Sequence, residues 1–287
     1  RGEEGREMNN KWEYYNHALV PTTAPHVEPD ISWVKNKKTW KKFSDGRYPL
    51  FVRWITDFDC AQETEWWHCI KDEPFDIEKI PAKKRYEIHK GLKNVEVRII
   101  DPKVYAEALA EVFCKAWIRY GSKENVDRKK EQVRKAFLED STEPTEYIGA
   151  FLKETGELVG YGIYEVHEDW VLQSVIKTDP DYLKCNTNAA LVAFALERYF
   201  GDGFSIKYLT NGTKNVLHET NYHEYLMKYF GFRKAYCRLH IKYRGWVGAV
   251  VAVLYPFRKL FYKMKGRGPV RMVRAVLKME EIHRTFR

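Results

Sequence analysis

His218 and Glu219 stand side by side, seven residues after Asn211. An imidazole titrates near neutrality, so His218 can take a proton from an amine or a hydroxyl. Glu219 adjoins it and Asn211 is a polar partner at the strand end, and the three are the first candidates for a catalytic base and its partners. Glu165 and His167 are second candidates. A plainer reading stands beside this one: Glu219 answers a helix dipole and His218 is a surface residue. A second cluster lies in Phe75–Asn94, FDIEKIPAKKRYEIHKGLKN. Pro81 suits a helix start, and Gly91 or Asn94 suits its end. Arg85, Tyr86 and Lys90 on that helix are candidates for holding a phosphate or carboxylate of a substrate. The alternative is a solvated surface helix that Tyr86 and Ile88 help to pack.

These residues need elements to hold them. Ser205–Thr210 alternates as a strand does, and Asn211-Gly212 is expected to end it. Val216–Phe230 carries apolar residues at near-helical spacing, among them Leu217, Tyr222, Tyr225, Leu226 and Phe230. Gly231 suits the helix stop, and Arg233–Tyr243 alternates again as one strand. Upstream, Lys11–Asp30 has three prolines and no period, which predicts an extended arm. Ile31–Phe43 reads as a short helix, and Pro49–Thr56 and Thr64–Lys71 as strands. Val95–Ile100 is a strand. A helix from Asp101-Pro102 to Tyr120 and a charged helix over Asn125–Leu138 follow. Tyr147–Lys153, Leu158–His167 and Asp169–Lys177 are strands, Tyr182–Asn188 is a loop, and Ala189–Phe200 is an apolar helix.

From Val95 the order is therefore β-α-α-β-β-β-α-β-α-β, closing on Gly231-Phe232. That order resembles the GNAT superfamily of acyltransferases over about Val95 to Tyr243. The aromatic-rich strand followed by K-x-R-Y-E-I-x-K-G also resembles the lobe junction of the FemAB-like branch. The fold class expected is α/β: a GNAT-like mixed sheet flanked by helices, with a smaller N-terminal lobe and a helical basic C-terminal tail. The expected domains are 1–94 (arm and small lobe), 95–244 (acyltransferase domain) and 245–287 (tail).

The resemblance implies an acyl thioester lying between two splayed strands, Asp169–Lys177 and Ser205–Thr210. It also implies a pyrophosphate, as of acyl-CoA, on amides at the start of the next helix, where free N–H groups and the dipole favour an anion. Those positions are Lys184, Asn186, Thr187, Asn188 and Ala189. Lys184 and Ala189 fit the family loop, whereas Thr187 replaces its glycine. This departure leaves room for another acyl thioester, a carrier arm or an aminoacyl ester as donor; equally, Asn186 or Asn188 caps the helix. Met227 replaces the tyrosine that the family often uses as a proton donor. Tyr222 and Glu165 are candidates for contact with substrate. The acyl donor is expected to be a substrate rather than a resident cofactor, and no metal is expected.

With 287 residues, 44% hydrophobic and 15% aromatic, the chain is long and apolar enough for a sizeable core. Five scattered cysteines without a C-x-x-C pair argue for a reducing compartment, and Arg1–Asn10 is polar throughout. A cytoplasmic protein is expected, with peripheral attachment to the inner face of a membrane as an extension of that reading. The net charge of +9 is uneven: Arg233–Arg287 holds 15 Lys/Arg against Glu280 and Glu281, so this stretch carries +13 and the rest carries −4. Trp246–Phe257 is an apolar run of 12 residues, about 18 Å as a helix, against about 30 Å for a bilayer core. Basic amphipathic stretches follow it, which suits an anionic membrane surface. Packing as a helical pair on the lobe or a subunit is the alternative. A basic tail also suits tRNA, as an RNA-binding module or a tRNA-dependent aminoacyl transferase. Expected partners are thus an acyl donor and a glycan, sugar-nucleotide or lipid-linked acceptor, with an anionic membrane or tRNA for the tail. No Walker, dinucleotide-binding, zincin or serine-hydrolase motif occurs.

Overall fold

From Val95 to Phe230 the chain follows the element order read from its sequence, as a computed structural model shows; the structure describes residues 12–119, 125–140, 144–201, 206–216, 221–264 and 268–286. The first strands are β1 Trp12–Tyr15, β2 Ala18–Pro21, β3 Phe51–Thr56, β4 Trp67–Lys71 and β5 Val95–Ile100. They are followed by β6 Thr145–Leu152, β7 Leu158–Val166, β8 Trp170–Thr178, β9 Tyr208–Thr213, β10 Arg233–Tyr236 and β11 Arg238–Tyr243. The helices are α1 Ala82–Asn94, α2 Ala106–Arg119, α3 Val126–Glu139 and α4 Thr187–Phe200, then α5 Tyr222–Phe230, α6 Gly245–Leu254, α7 Arg258–Lys263 and α8 Pro269–Arg284. The architecture is a mixed α/β one with two mixed sheets, and the C-terminal end is helical and basic. Two compact units divide the chain. One comprises Arg1–His68, Thr213–Thr220 and Lys234–Arg287; the other comprises Cys69–Gly212 and Asn221–Arg233.

The first unit is built on a sheet of order β1-β2-β3-β11. β1 and β2 form an antiparallel hairpin through Asn16 and His17, both at positive φ (47° and 65°). A two-residue turn with both residues left-handed matches the twist of the strands it joins. The expected arm over Lys11–Asp30 is thus corrected to a hairpin for Trp12–Pro21. The expected helix over Ile31–Phe43 is reduced to turns and a 3-10 segment, Thr39–Phe43. Trp33, Val34, Trp40 and Phe43 instead bury with Trp12, Leu19 and Val52, so tertiary packing outweighs local propensity. β11 pairs antiparallel with β3 from Arg238↔Thr56 to Tyr243↔Phe51. Met279 and Ile282 of α8 join Cys237, Leu239 and Ile241 in one core cluster.

The larger sheet has the order β10-β4-β9-β8-β7-β6-β5. β5 to β8 form an antiparallel meander, and β9 returns parallel to β8. Helices lie on both faces. Tyr161 of β7 is buried with Leu109 and Val112 of α2 and Phe137 of α3. Its neighbour Gly160 faces the other way, where an added Cβ would lie 2.7 Å from Thr187 Cγ2 and 3.2 Å from Leu191 Cδ1 of α4. α4 is apolar nearly all round because that face of the sheet covers it; Ala189–Ala193 are all buried. Gly231 ends α5 at φ 69°, as expected of a left-handed cap. The single strand expected over Arg233–Tyr243 is two, broken at Cys237, and the halves join different sheets. β9 also runs through Asn211-Gly212 rather than ending before it, with Gly212 at φ 81°.

Candidate functional site

The site begins where the sheet stops being a sheet. β8 and β9 pair at Trp170↔Tyr208, Val171↔Leu209 and Leu172↔Thr210, and there the parallel ladder ends, although β8 continues to Thr178. On its other edge β8 carries a bulge. Ile163 pairs with Val175 and Tyr164 with Gln173, so Ser174 is the extra residue. A bulge bends its strand and increases its twist, and it falls just beyond the last residue of β8 that pairs with β9.

A polar network sits at the point of divergence. Gln173 is 3% exposed. Asn211 Nδ2 donates to the Gln173 backbone carbonyl (3.3 Å) and to Gln173 Oε1 (2.9 Å). The Tyr222 hydroxyl donates to the same Oε1 (3.2 Å), and Gln173 Nε2 donates to the Tyr164 hydroxyl (2.9 Å). Burial holds the Tyr164 and Tyr222 phenols well above their usual pKa, so both stay protonated. His223 Nε2 lies 3.3 Å from the Asn211 carbonyl. A carbonyl only accepts, so that nitrogen carries the proton. Burial pushes the imidazole pKa down, and the Asn211 carbonyl partly opposes the shift.

The second part of the site is the corner between β8 and α4. Asp179 is buried, pairs with Lys115 Nζ at 2.7 Å, and accepts the Asp181 amide at 2.9 Å. It thereby anchors the 3-10 turn Pro180–Cys185. Asn186 then turns into the left-handed region at φ 55° and starts α4 without a side-chain cap. The Thr187 and Asn188 amides are in the first turn, where no intrahelical acceptor exists. A cavity of about 180 Å³ opens here, lined in part by Lys84, Glu87, Thr178, Asn186, Thr187 and Tyr225. Lys84 is only 6% exposed. It pairs with Glu87, and its ammonium lies 4.7 Å from the Tyr225 ring centre and 4.4 Å from that of Tyr229. This is a cation in an aromatic and carboxylate box. Gly91 lets α1 approach this corner, since a Cβ there would lie 2.7 Å from the Asn186 carbonyl oxygen.

Thr187, at the position where the resembling loop carries glycine, is one of the residues lining the cavity. Its methyl lies over Gly160, and its buried hydroxyl has no partner. The corner offers unpaired first-turn amides and a buried ammonium, which are groups that fit the phosphate of a donor.

Of the residues singled out in the sequence, Asn211 and Tyr222 meet on Gln173, and Asn186, Thr187, Asn188 and Ala189 line the cavity. Lys184 is exposed on the preceding 3-10 turn. Arg85 pairs with Glu78, Lys90 is exposed, and Tyr86 is 66% exposed rather than packed. Glu165 is level with Leu172, the last β8 residue paired to β9. His167 is in the β7–β8 turn, stacked on Trp170 at 4.3 Å. His218 and Glu219 lie outside the described residues. Gln173 and His223 were not singled out, and Lys84 belongs to the basic helix read as an anion site beside Arg85 and Lys90. Gln173 is the one amide in WVLQSVIK, and His223 shares the buried face of α5 with Leu226 and Phe230. Among the described residues no three His, Cys, Asp or Glu side chains gather as a metal site.

The fold is GNAT-like. The meander, the bulge, the parallel return of β9 and the short β8–β9 ladder carry that assignment. No family model matches the chain, and no curated protein matches it. Solved structures do resemble it. The C-terminal domain of a protein described as a lysylphosphatidylglycerol synthetase, from Agrobacterium fabrum, is 8% identical over 85% of this chain and 84% of its own, with a TM-score of 0.49. FemX is 10% identical over 78% of this chain and 81% of its own, with a TM-score of 0.48. The PaiA N-acetyltransferase of Thermoplasma acidophilum, solved with coenzyme A, is 16% identical over 36% of this chain and 70% of its own, with a TM-score of 0.30.

Proposed function

We propose that this chain transfers an acyl group from a phosphate-bearing thioester or ester to an amine or hydroxyl. The end of the β8–β9 ladder at Leu172↔Thr210 carries the reading, because it leaves a gap beside a fixed set of donors. The acyl group lies in that gap. The donor phosphate sits on the Thr187 and Asn188 amides, with Lys84 as its counter-charge. Gln173, Asn211 and Tyr222 fix the gap's floor, so the reacting carbon meets the nucleophile in one geometry. The nucleophile forms a bond to the carbonyl carbon, and the thiolate or alkoxide leaves. The proton released by the nucleophile passes through a base to that leaving group. The sequence offers His218 and Glu219 as candidates for that base and its neighbour, outside the described residues. Acyl-CoA and aminoacyl-tRNA are the two donor types to be compared. A glycan or lipid-linked envelope acceptor is the one that the FemAB-like resemblance implies.

Radiolabelled acetyl-CoA, longer acyl-CoAs and aminoacyl-tRNA, each mixed with the full chain and an envelope fraction, test this reading. One donor should lose its label to the acceptor fraction, and Asn211→Ala should slow the transfer about tenfold to a hundredfold. The proposal fails if no donor is consumed and none raises the melting temperature at millimolar concentration.

A further inference from the structure

The first unit carries an apolar face that its own core does not use. Trp246, Val250, Val253, Phe257, Leu260 and Met264 recur at steps of four, three, four, three and four along α6, the 3-10 turn Tyr255–Phe257 and α7. All six are between 42% and 67% exposed. Val247 and Val251, on the opposite face of α6, are buried. Trp246 to Val253 span about 10 Å at helical rise, and Phe257, Leu260 and Met264 continue the apolar series through the 3-10 turn and α7 to the residue that follows it. An exposed apolar stripe of this extent is what an interaction surface looks like.

Charge selects the partner. The only acids of Arg233–Arg287 are Glu280 and Glu281. Glu280 is engaged by Arg284 at 2.7 Å, and Glu281 by Arg258 at 2.8 Å and Lys278 at 2.9 Å. Lys259 and Lys263 are exposed beside the stripe, and among the described residues neither is paired with a carboxylate. We infer that this face lies on an anionic lipid surface, with the stripe at the level of the acyl chains and the lysines at the headgroups. A second copy would bring the same +13 against itself, whereas a lipid bilayer supplies both the apolar layer and the opposite charge. Spanning is not implied, because no helix among the described residues is long and apolar enough to cross a membrane.

Flotation of the full chain with neutral phosphatidylcholine vesicles, and with vesicles containing a quarter phosphatidylglycerol, tests the inference. Binding should need the anionic lipid. Lys259→Glu with Lys263→Glu should weaken it about tenfold, and Val253→Glu, Phe257→Glu and Leu260→Glu together should weaken it at least as much. All five positions are exposed, so the circular dichroism and melting temperature should match the parent chain. Failure to float with anionic vesicles overturns the inference, as does binding that the triple substitution leaves unchanged. A dimer that the triple substitution splits, without vesicle binding, assigns the face to a second copy and overturns it equally. None of these outcomes bears on acyl transfer, which is read separately.

Discussion

Asn211 of β9 takes over from the main-chain ladder at the residue where that ladder stops. Its amide reaches both the backbone oxygen and the side-chain oxygen of Gln173, at 3.3 and 2.9 Å. Asn211→Leu leaves both acceptors without that donor. We expect a loss of about 1–3 kcal/mol in stability, read from the urea midpoint at constant slope. Asn211→Asp should lose at least as much, because a carboxylate cannot donate to either oxygen.

Gly160 and Thr187 are fitted to one another. Gly160→Ala should cost about 1–3 kcal/mol through overpacking against the Thr187 methyl. Thr187→Ser removes that methyl. In a double-mutant cycle it should restore part of the loss, with a coupling of about 1 kcal/mol. Strictly additive costs would show that the two side chains do not share this space.

Lys84 and Glu87 face one another in the cavity. Lys84→Met leaves Glu87 without its ammonium and removes a cation from the donor corner. Stability should fall by about 1–3 kcal/mol, and donor affinity by about tenfold or more. Calorimetric titration with the donor identified by the transfer assay separates the two effects. Unchanged affinity would place the phosphate elsewhere.

Burial depresses the His223 pKa below its ordinary 6.5. The unfolded chain therefore binds a proton on this group at a pH where the native chain does not. The stability it supports is complete above pH 6.5 and is lost as the pH falls through 6.5 toward the depressed native value. His167 and His240 are depressed in the same direction, also first by burial. Each group contributes a slope of at most about 1.4 kcal/mol per pH unit in that window. Urea midpoints between pH 7.5 and 5 should fall less steeply for His223→Gln than for the parent chain.

Much of the second unit is legible in its residues because its helices and strands obey simple periods. α2 shows the apolar spacing of a one-sided helix, and α5 ends on a glycine that the structure places at positive φ. The β1–β2 hairpin escaped because Asn16 and His17 turn the chain without a glycine, and because β-structure flanks prolines there. The break at Cys237 left no local signal: Arg233–Tyr243 alternates evenly, and only the two sheets decide where it parts. Splayed strands were implied by the family resemblance, whereas the bulge beside the end of the β8–β9 ladder had no local signal. Ser174 is an ordinary strand residue until register shows it to be the extra one. Gln173 read as one polar residue in an apolar strand, and its three partners come from β7, β9 and α5. Lys84 had the look of a surface charge because periodicity does not report that Tyr225 and Tyr229 cover it.

Hydrogen exchange in the presence of the donor that the transfer assay selects bears most directly on the wedge between β8 and β9. Amides of Gln173–Thr178 on β8, Asn211–Thr213 on β9 and Thr187–Asn188 on α4 should exchange more slowly with donor than without it. Unchanged exchange across all three segments at saturating donor, or protection confined to other parts of the chain, would contradict an acyl donor seated in that gap.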